Sequence, residues 1–136
     1  GKTKIGRRIR RWKHPNKNIE NTIYKASHIN HPSAVWARES VANYVWLYNL
    51  FKKLCDEYTH RYGKVHSTDS LLRDLLSTPP KNIKEGGVDP TRMPQAMPDY
   101  CKRACSVDAY RTYYIQEKKR FAKWTKRQVP HWFWAA

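Results

Sequence analysis

The chain has 136 residues, six tryptophans, nine tyrosines and a formal net charge of +16, from 27 Lys and Arg against 11 Asp and Glu. This length fits one domain with a real core and excludes two, and no apolar run approaches the ~18 residues of a membrane span, so we expect no membrane partner. A charge of this size exceeds what solubility requires and predicts a polyanionic partner, above all nucleic acid.

Residues 1–18 hold eight cations and no acid. Like charges at this density repel one another, and the segment has few apolar residues to bury, so we predict a basic arm that precedes a single helical domain of residues 19–136. An arm of this kind binds phosphates, although a solvated tail without a partner is the alternative. The candidate phosphate ligands here are Arg7, Arg8, Arg10 and Arg11.

A long central helix is predicted across residues 32–63. Apolar residues from Trp36 to Tyr58 recur at the 3.6-residue period of a helix buried on one side, and Cys55 lies on that stripe as a small core residue. Pro32 suits the first turn of a helix, and Gly63 suits a left-handed C-terminal stop. We expect the rest of the domain to pack against this helix.

The next stretch combines a short helix with a long loop. Ser67-Thr68-Asp69 offers an N-cap for a helix that docks by its leucines. Residues 78–98 then contain five prolines and Gly86-Gly87, which excludes regular structure. We predict a long Pro-rich loop, either functional or flexible.

A last helix is predicted from Val107 to about Thr125, with Ser106 as its N-cap. Its cations exceed what the helix dipole requires and form a second basic surface. The binding candidates on it are Arg111, Lys118, Lys119 and Lys123. The aromatic tail from Val129 to Trp134 is expected to pack back on the central helix. With no strand alternation, the predicted class is all-α.

Metal and cofactor sites are not indicated. His28 and His31 are three residues apart, and Cys101 and Cys105 share a helical spacing, but neither pair is accompanied by further ligands at metal-site spacing. No Gly-rich phosphate loop is present in the sequence. We therefore predict neither a metal nor a cofactor.

Several motifs resemble a family of small bacteriophage proteins that is grouped with the pyrimidine-dimer DNA glycosylases of the endonuclease V type. The similarity runs from about Thr22 to Phe133. It is carried by Asn30-His31-Pro32, Arg38-Glu39-Ser40, the run from Glu57 to His66, Ala96-Met97-Pro98 and Pro130-His131-Trp132-Phe133.

The resemblance implies a DNA enzyme whose N-terminal amine attacks C1′ of a damaged nucleotide and forms a Schiff base, while a glutamate assists and arginines hold phosphates. An α-amine suits this role because its pKa is the lowest among unhindered amines. Members of the phage group begin with a hydrophobic segment and an Asp-Lys-His type motif, whereas this sequence opens in the basic stretch at Gly1. We expect a further segment before Gly1 and assign the nucleophile to no residue.

The catalytic candidates are therefore Glu39 as acid or base, Arg38 as a phosphate ligand, and His31 beside them. The alternative is that Arg38 and Glu39 sit in a buried polar cluster with His31, Asn43 or Tyr44, or face solvent. Arg61 and Lys64, near the end of the central helix, either complement its dipole or hold a backbone phosphate.

Three functions remain open at this point. The first is a DNA-binding, glycosylase/AP lyase-like protein that acts on damaged or modified DNA in the cytoplasm of the infected host cell. The second is a non-catalytic module that binds nucleic acid or a ribonucleoprotein. The third is a virion or assembly component of the phage.

Overall fold

The computed structural model describes residues 12–135, so Arg7, Arg8, Arg10 and Arg11 of the predicted arm lie outside the described residues. The described part is helical and contains no strand, which confirms the all-α class. Its α-helices are α1 (Lys17–Thr22), α2 (Pro32–Ala37), α3 (Val41–Tyr62), α4 (Ser67–Leu72), α5 (Ser106–Tyr113) and α6 (His131–Trp134). Single 3-10 turns lie at Leu75–Ser77 and Asp99–Cys101, and a π-helical turn, Tyr114–Lys118, extends α5. No helix within residues 12–135 has the length and apolarity that crossing a membrane requires.

The central helix is confirmed, but its predicted start at Pro32 is wrong. Pro32 begins the separate helix α2, and the chain leaves helical geometry before α3 starts at Val41. Ser40 causes this break, because its extended backbone and its Oγ, which accepts from the Asn43 N–H at 3.1 Å, make it the N-cap of α3. The predicted stop at Gly63 is confirmed, with a left-handed φ of 65°.

Two predicted helix caps are displaced by one residue. The N-cap of α4 is His66, whose imidazole Nδ1 accepts from the Thr68 N–H at 3.1 Å, so Ser67 is the first helical residue. The N-cap of α5 is Cys105, because the Ser106 hydroxyl instead donates to the Met93 carbonyl at 2.8 Å. At the N-terminal side, α1 starts at Lys17 and thus includes the last residues of the predicted arm.

The last helix is shorter than predicted. It ends at Lys118 instead of continuing to Thr125. Side chains of α3 bind the segment that follows: Arg61 Nη1 donates to the Lys123 carbonyl at 2.7 Å, and His60 Nε2 lies 2.9 Å from the Lys126 carbonyl. These tertiary hydrogen bonds tie the segment after the helix to α3.

The core is small, and its members come from α2, α3, α4, the 3-10 turn Asp99–Cys101 and α5. Its apolar members are Trp36, Ala37, Cys55, Leu72, Cys101 and Ala109, which confirms Cys55 as a core residue. At its centre is a polar side chain, Asn43, with 0% exposure. Several apolar side chains of α3, including Leu47 and Leu50, stay partly exposed. They face a cavity instead of a packed interior.

The segment from residue 78 to 98 crosses the start of α3 without a helix of its own. The Val41 N–H donates to the Lys84 carbonyl at 2.9 Å. Gly86 has a φ of +67°, and a Cβ built on it would lie 2.8 Å from Ser40 Cβ. Only glycine fits this close approach without a shift in the backbone. The segment is thereby held on the N-cap of the central helix.

Candidate nucleic-acid interface

A cavity of about 560 Å³ lies between α3 and α5 and is lined mainly by aromatic and aliphatic side chains. Four of the six tryptophans of the chain line it. We call it the aromatic cavity and define it by Trp36, Trp46, Leu50, Tyr114, Trp124 and Trp132, together with the cations Arg61, Arg111 and Lys123. Its volume lies within the range of about 300–1,000 Å³ that is typical of small-ligand pockets.

One wall is formed by the tryptophans of α2 and α3. Trp36 and Trp46 meet edge to face, with ring centroids 5.6 Å apart and an angle of 87° between the rings. Trp36 is 6% exposed, and its indole N–H donates to the Thr91 carbonyl at 3.3 Å. This wall is held in place by packing and by a hydrogen bond, so it exists before any ligand binds.

The opposite wall is an aromatic cluster that joins α5 to the C-terminal segment. Between ring centroids, Trp124 lies 6.4 Å from Trp132 and 4.6 Å from Phe133. The centroid of the Tyr114 ring lies 6.2 Å from that of Trp124 and 6.3 Å from that of Trp132. The aromatic tail was expected to pack on the central helix, and the structure instead gives it aromatic partners on the α5 extension and at Trp124. The tail thereby becomes a wall of the cavity.

Met93 and Pro94 line the cavity, and side chains from α3 and α5 hold their segment in place. Asn43 Nδ2 donates to the Trp36 carbonyl at 2.9 Å and to Thr91 Oγ1 at 3.0 Å, and its Oδ1 accepts from the Thr91 N–H at 2.8 Å. From α5, the Tyr110 hydroxyl donates to the Pro94 carbonyl at 2.8 Å. This irregular segment is fixed because buried polar groups must be paired.

A charged clamp fixes the side of the cavity that carries Trp124. Glu57 on α3 accepts from Arg61 Nε at 2.9 Å, and Arg127 Nη2 lies 3.0 Å from the second oxygen of the same carboxylate. Hydrogen bonds from Arg127 and Arg61 lower the pKa of Glu57 to about 2. Since Arg61 also binds the Lys123 carbonyl, the segment on both sides of Trp124 is tied to α3.

The cations that line the cavity differ in whether groups of the protein already bind them. Arg61, a predicted phosphate ligand, is engaged inside the protein by Glu57 and the Lys123 carbonyl. Arg111 is exposed, with its guanidinium carbon 5.4 Å from the centroid of the Trp132 ring. Lys123 is exposed and lines the cavity. Within residues 12–135, neither Arg111 nor Lys123 forms an ion pair.

The basic surface continues from the cavity along the α5 extension. Lys118 Nζ lies 5.2 Å from the centroid of the Tyr113 ring and 5.4 Å from that of Phe121, and Lys119 is exposed beside it. Lys64 is also exposed but belongs to the turn after α3. Four of the predicted ligands thus lie on α5, its π-helical extension and the segment that follows. We call Arg111, Lys118, Lys119 and Lys123 the basic face.

The three catalytic candidates do not come together as a catalytic cluster. His31 is the N-cap of α2, with Nδ1 accepting from the Ser33 N–H at 3.1 Å. Arg38 and Glu39 lie in the turn between α2 and α3, where both are exposed, so their expected placement on one continuous helix is wrong. The alternative of a buried polar cluster is also wrong for these two residues. A buried polar cluster does exist, but Asn43 is its centre.

No protein-family model matches this sequence, and comparisons with curated proteins and with solved structures gave no match. The resemblance to the phage proteins grouped with the pyrimidine-dimer glycosylases therefore stays a prediction.

Sequence reasoning missed the residues that build the cavity. Trp46 lies outside the apolar stripe that was predicted for the central helix, and Trp132 was predicted only as part of an aromatic tail and of a resemblance motif. Asn43 interrupts the apolar stripe of α3, and a lone amide on a buried helical face indicates a hydrogen-bond partner elsewhere in the chain. The partner, Thr91, has no distinguishing pattern in the sequence.

Proposed function

We propose that this chain binds nucleic acid, with DNA as the preferred partner, through the basic face and the adjoining aromatic rings. The observation that carries the proposal is that none of the four basic-face cations forms an ion pair within residues 12–135, although two of them lie over aromatic rings. Cations that are held by rings and not neutralised by acids suit contact with phosphates, and the rings beside them suit stacking on bases.

The sequence supports the same proposal outside the described residues. The basic arm of residues 1–18 supplies further phosphate ligands, with Arg7, Arg8, Arg10 and Arg11 as the candidates. We also propose that the Pro-rich loop of residues 78–98 is functional, because it carries Met93 and Pro94 to the cavity wall. The net charge of +16 favours association with any polyanion, so specificity has to come from the face itself.

Salt dependence tests the proposal. Each neutralised phosphate releases counterions, so the four basic-face cations should contribute about −3 to −4 to the slope of log K against log salt. Replacing Arg111, Lys118, Lys119 and Lys123 together by Gln should weaken binding and make this slope shallower by about 3. Fluorescence anisotropy with a labelled DNA oligonucleotide measures both quantities.

A charge-matched control separates the basic face from net charge alone. Lys25, Lys53, Lys81 and Lys84 are exposed and lie outside the basic face, and replacing them by Gln removes the same four charges. We expect this control to retain most of the affinity. Equal losses in the two quadruple variants would show that binding is diffuse, and would reject the basic face as the interface.

DNA glycosylase or AP lyase activity is the second candidate. The observation that favours it is that Glu39 is exposed and its carboxylate forms no ion pair within residues 12–135, so it is available to a ligand. Borohydride trapping on a duplex with an abasic site, with the protein carrying its native N-terminus, tests for a Schiff base. An adduct whose yield changes in Glu39→Gln supports this activity. The absence of any adduct leaves the binding function and rejects the lyase.

The remaining readings concern where the protein acts. We propose the cytoplasm of an infected host cell for a DNA-binding role. A virion or assembly role predicts instead that the segment from Val129 to Trp134 is cut by proteases in the isolated chain and protected in the particle. Limited proteolysis of both forms distinguishes the two.

A further inference from the structure

We propose that the aromatic cavity holds one unpaired nucleobase, so that the chain prefers single-stranded to double-stranded nucleic acid. This inference rests on the proposed nucleic-acid binding and adds the form of nucleic acid that the site recognises. Its basis is the position of the aromatic cavity, which opens beside Arg111 and Lys123.

The walls of the cavity match a flat heteroaromatic ring. Trp46, Tyr114, Trp124 and Trp132 present aromatic surface to the same space, and the remaining lining includes the aliphatic side chains Leu47, Leu50, Met93, Pro94 and Val107. Every base has a π-face, so such walls bind bases by stacking with little sequence preference. Within the second wall the rings are tilted or edge to face, with an angle of 81° between Trp124 and Trp132, so these two rings do not stack face to face on each other.

The charge at the cavity favours a nucleotide over an apolar peptide. Arg111 and Lys123 both line the cavity, and within the described part of the chain neither is paired with an acid. A base that enters the cavity brings its phosphates close to these cations. An apolar peptide in the same place would partly desolvate two cations without a counter-charge, which is unfavourable.

Duplex nucleic acid does not reach this surface without being disrupted. In a duplex both faces of each base are stacked, so a base must leave the stack before it can contact rings that lie between α3 and α5. In a single strand, moving a base out of its stack costs less free energy, and the phosphates of the strand keep their contacts with the basic face. The cavity therefore adds affinity for unpaired bases on top of charge-driven binding.

The first test changes the ligand and leaves the protein intact. A short thymidine oligonucleotide is compared with an equally long strand in which tetrahydrofuran replaces every base, and with a duplex of the same length, all at one salt concentration. Loss of one stacked base should weaken binding by about 5- to 150-fold for the abasic strand. Tryptophan fluorescence should be quenched by the thymidine strand and not by the abasic one, because four of the six tryptophans line the cavity.

The second test fills the cavity. Leu50 is 47% exposed and lines the cavity, so Leu50→Trp should occupy the space of the base. Leu54, one turn further along α3, is 67% exposed and does not line the cavity, so Leu54→Trp is the matched control. We expect Leu50→Trp to lose the preference for base-containing strands while keeping the salt slope, and Leu54→Trp to keep both.

The outcomes separate this inference from the proposed function. Salt-dependent binding with equal affinity for thymidine and abasic strands overturns the base site and leaves the basic face standing. An equal loss of strand preference in the Leu50 and Leu54 variants overturns the assignment to the cavity. No salt-dependent binding of any probe overturns both proposals.

Discussion

Replacing Asn43 by Ala should strongly destabilise the domain, although it changes one small polar side chain. Asn43 is fully buried, and its amide makes three hydrogen bonds that join α3 to the Trp36 carbonyl and to Thr91. Asn43→Ala leaves the Trp36 carbonyl and the Thr91 N–H without these partners.

The magnitude follows from the hydrogen bonds that are lost. The Thr91 N–H loses its partner, which costs about 1–3 kcal/mol, whereas the Trp36 carbonyl keeps the hydrogen bond from the Glu39 N–H at 3.2 Å and loses only one bond, worth about 0.5–1.5 kcal/mol. Because Thr91 is exposed, water can reach part of the site and replace some of the lost hydrogen bonding. We therefore expect the free energy of unfolding to fall by about 2–4 kcal/mol. A domain of this size has a free energy of unfolding of roughly 5–15 kcal/mol, so the variant should stay folded but be much weaker.

Urea unfolding followed by tryptophan fluorescence measures this effect. With a slope of about 2 kcal/mol/M, the midpoint should fall by about 1–2 M. Asn49→Ala is the matched control, because Asn49 lies on the same helix and is exposed, and its change should stay within about 0.5 kcal/mol. Equal midpoints for the two variants would refute the assignment of Asn43 as the link between α3 and residue 91.

Two further predictions concern the contacts that hold the segments on α3. Gly86→Ala should lower the free energy of unfolding by about 1–3 kcal/mol, because Gly86 has a left-handed φ and its added Cβ would approach Ser40. Gly87→Ala is the control and should leave the stability unchanged, since nothing lies within 4 Å of its added Cβ. Chemical denaturation compares the two variants. The pKa of Glu57 falls from the ordinary 4.5 to about 2 on folding, so its contribution to stability is present above pH 4.5 and is lost as the pH falls towards 2. Glu57→Gln should flatten that part of the stability profile, and Glu85→Gln, at an exposed position, should leave it unchanged.

The central helix was predictable because its determinants are local. The periodic apolar residues of α3 and the left-handed stop at Gly63 are both properties of a short stretch of sequence. Its start was misplaced for a local reason too, since Ser40 caps a new helix while Pro32 offers an equally good start upstream. Proline and serine both favour a first turn, and the sequence alone does not say that both are used.

The end of the last helix was not predictable in the same way. The aromatic residues up to Trp124 keep a helical spacing, and nothing in that stretch stops a helix. The segment after the helix, which contains Trp124, is bound through its carbonyls by Arg61 and His60, more than 60 residues earlier in the chain. Such non-local hydrogen bonds leave no pattern in the sequence. The cavity depends on them, so it was missed as well.

The residues that hold the cavity in shape are not the residues that would contact its proposed ligand. Asn43, Glu57 and Arg61 act on backbone groups and side chains within the fold, whereas Arg111 and Lys123 form no ion pair in the described part of the chain. A domain with so small a core would gain stability by closing an apolar cavity of about 560 Å³, and polar contacts at both ends keep it open instead. An open aromatic surface that is maintained in this way is typical of a binding site, which is why the function is best sought between α3 and α5 and not in the turn at Glu39.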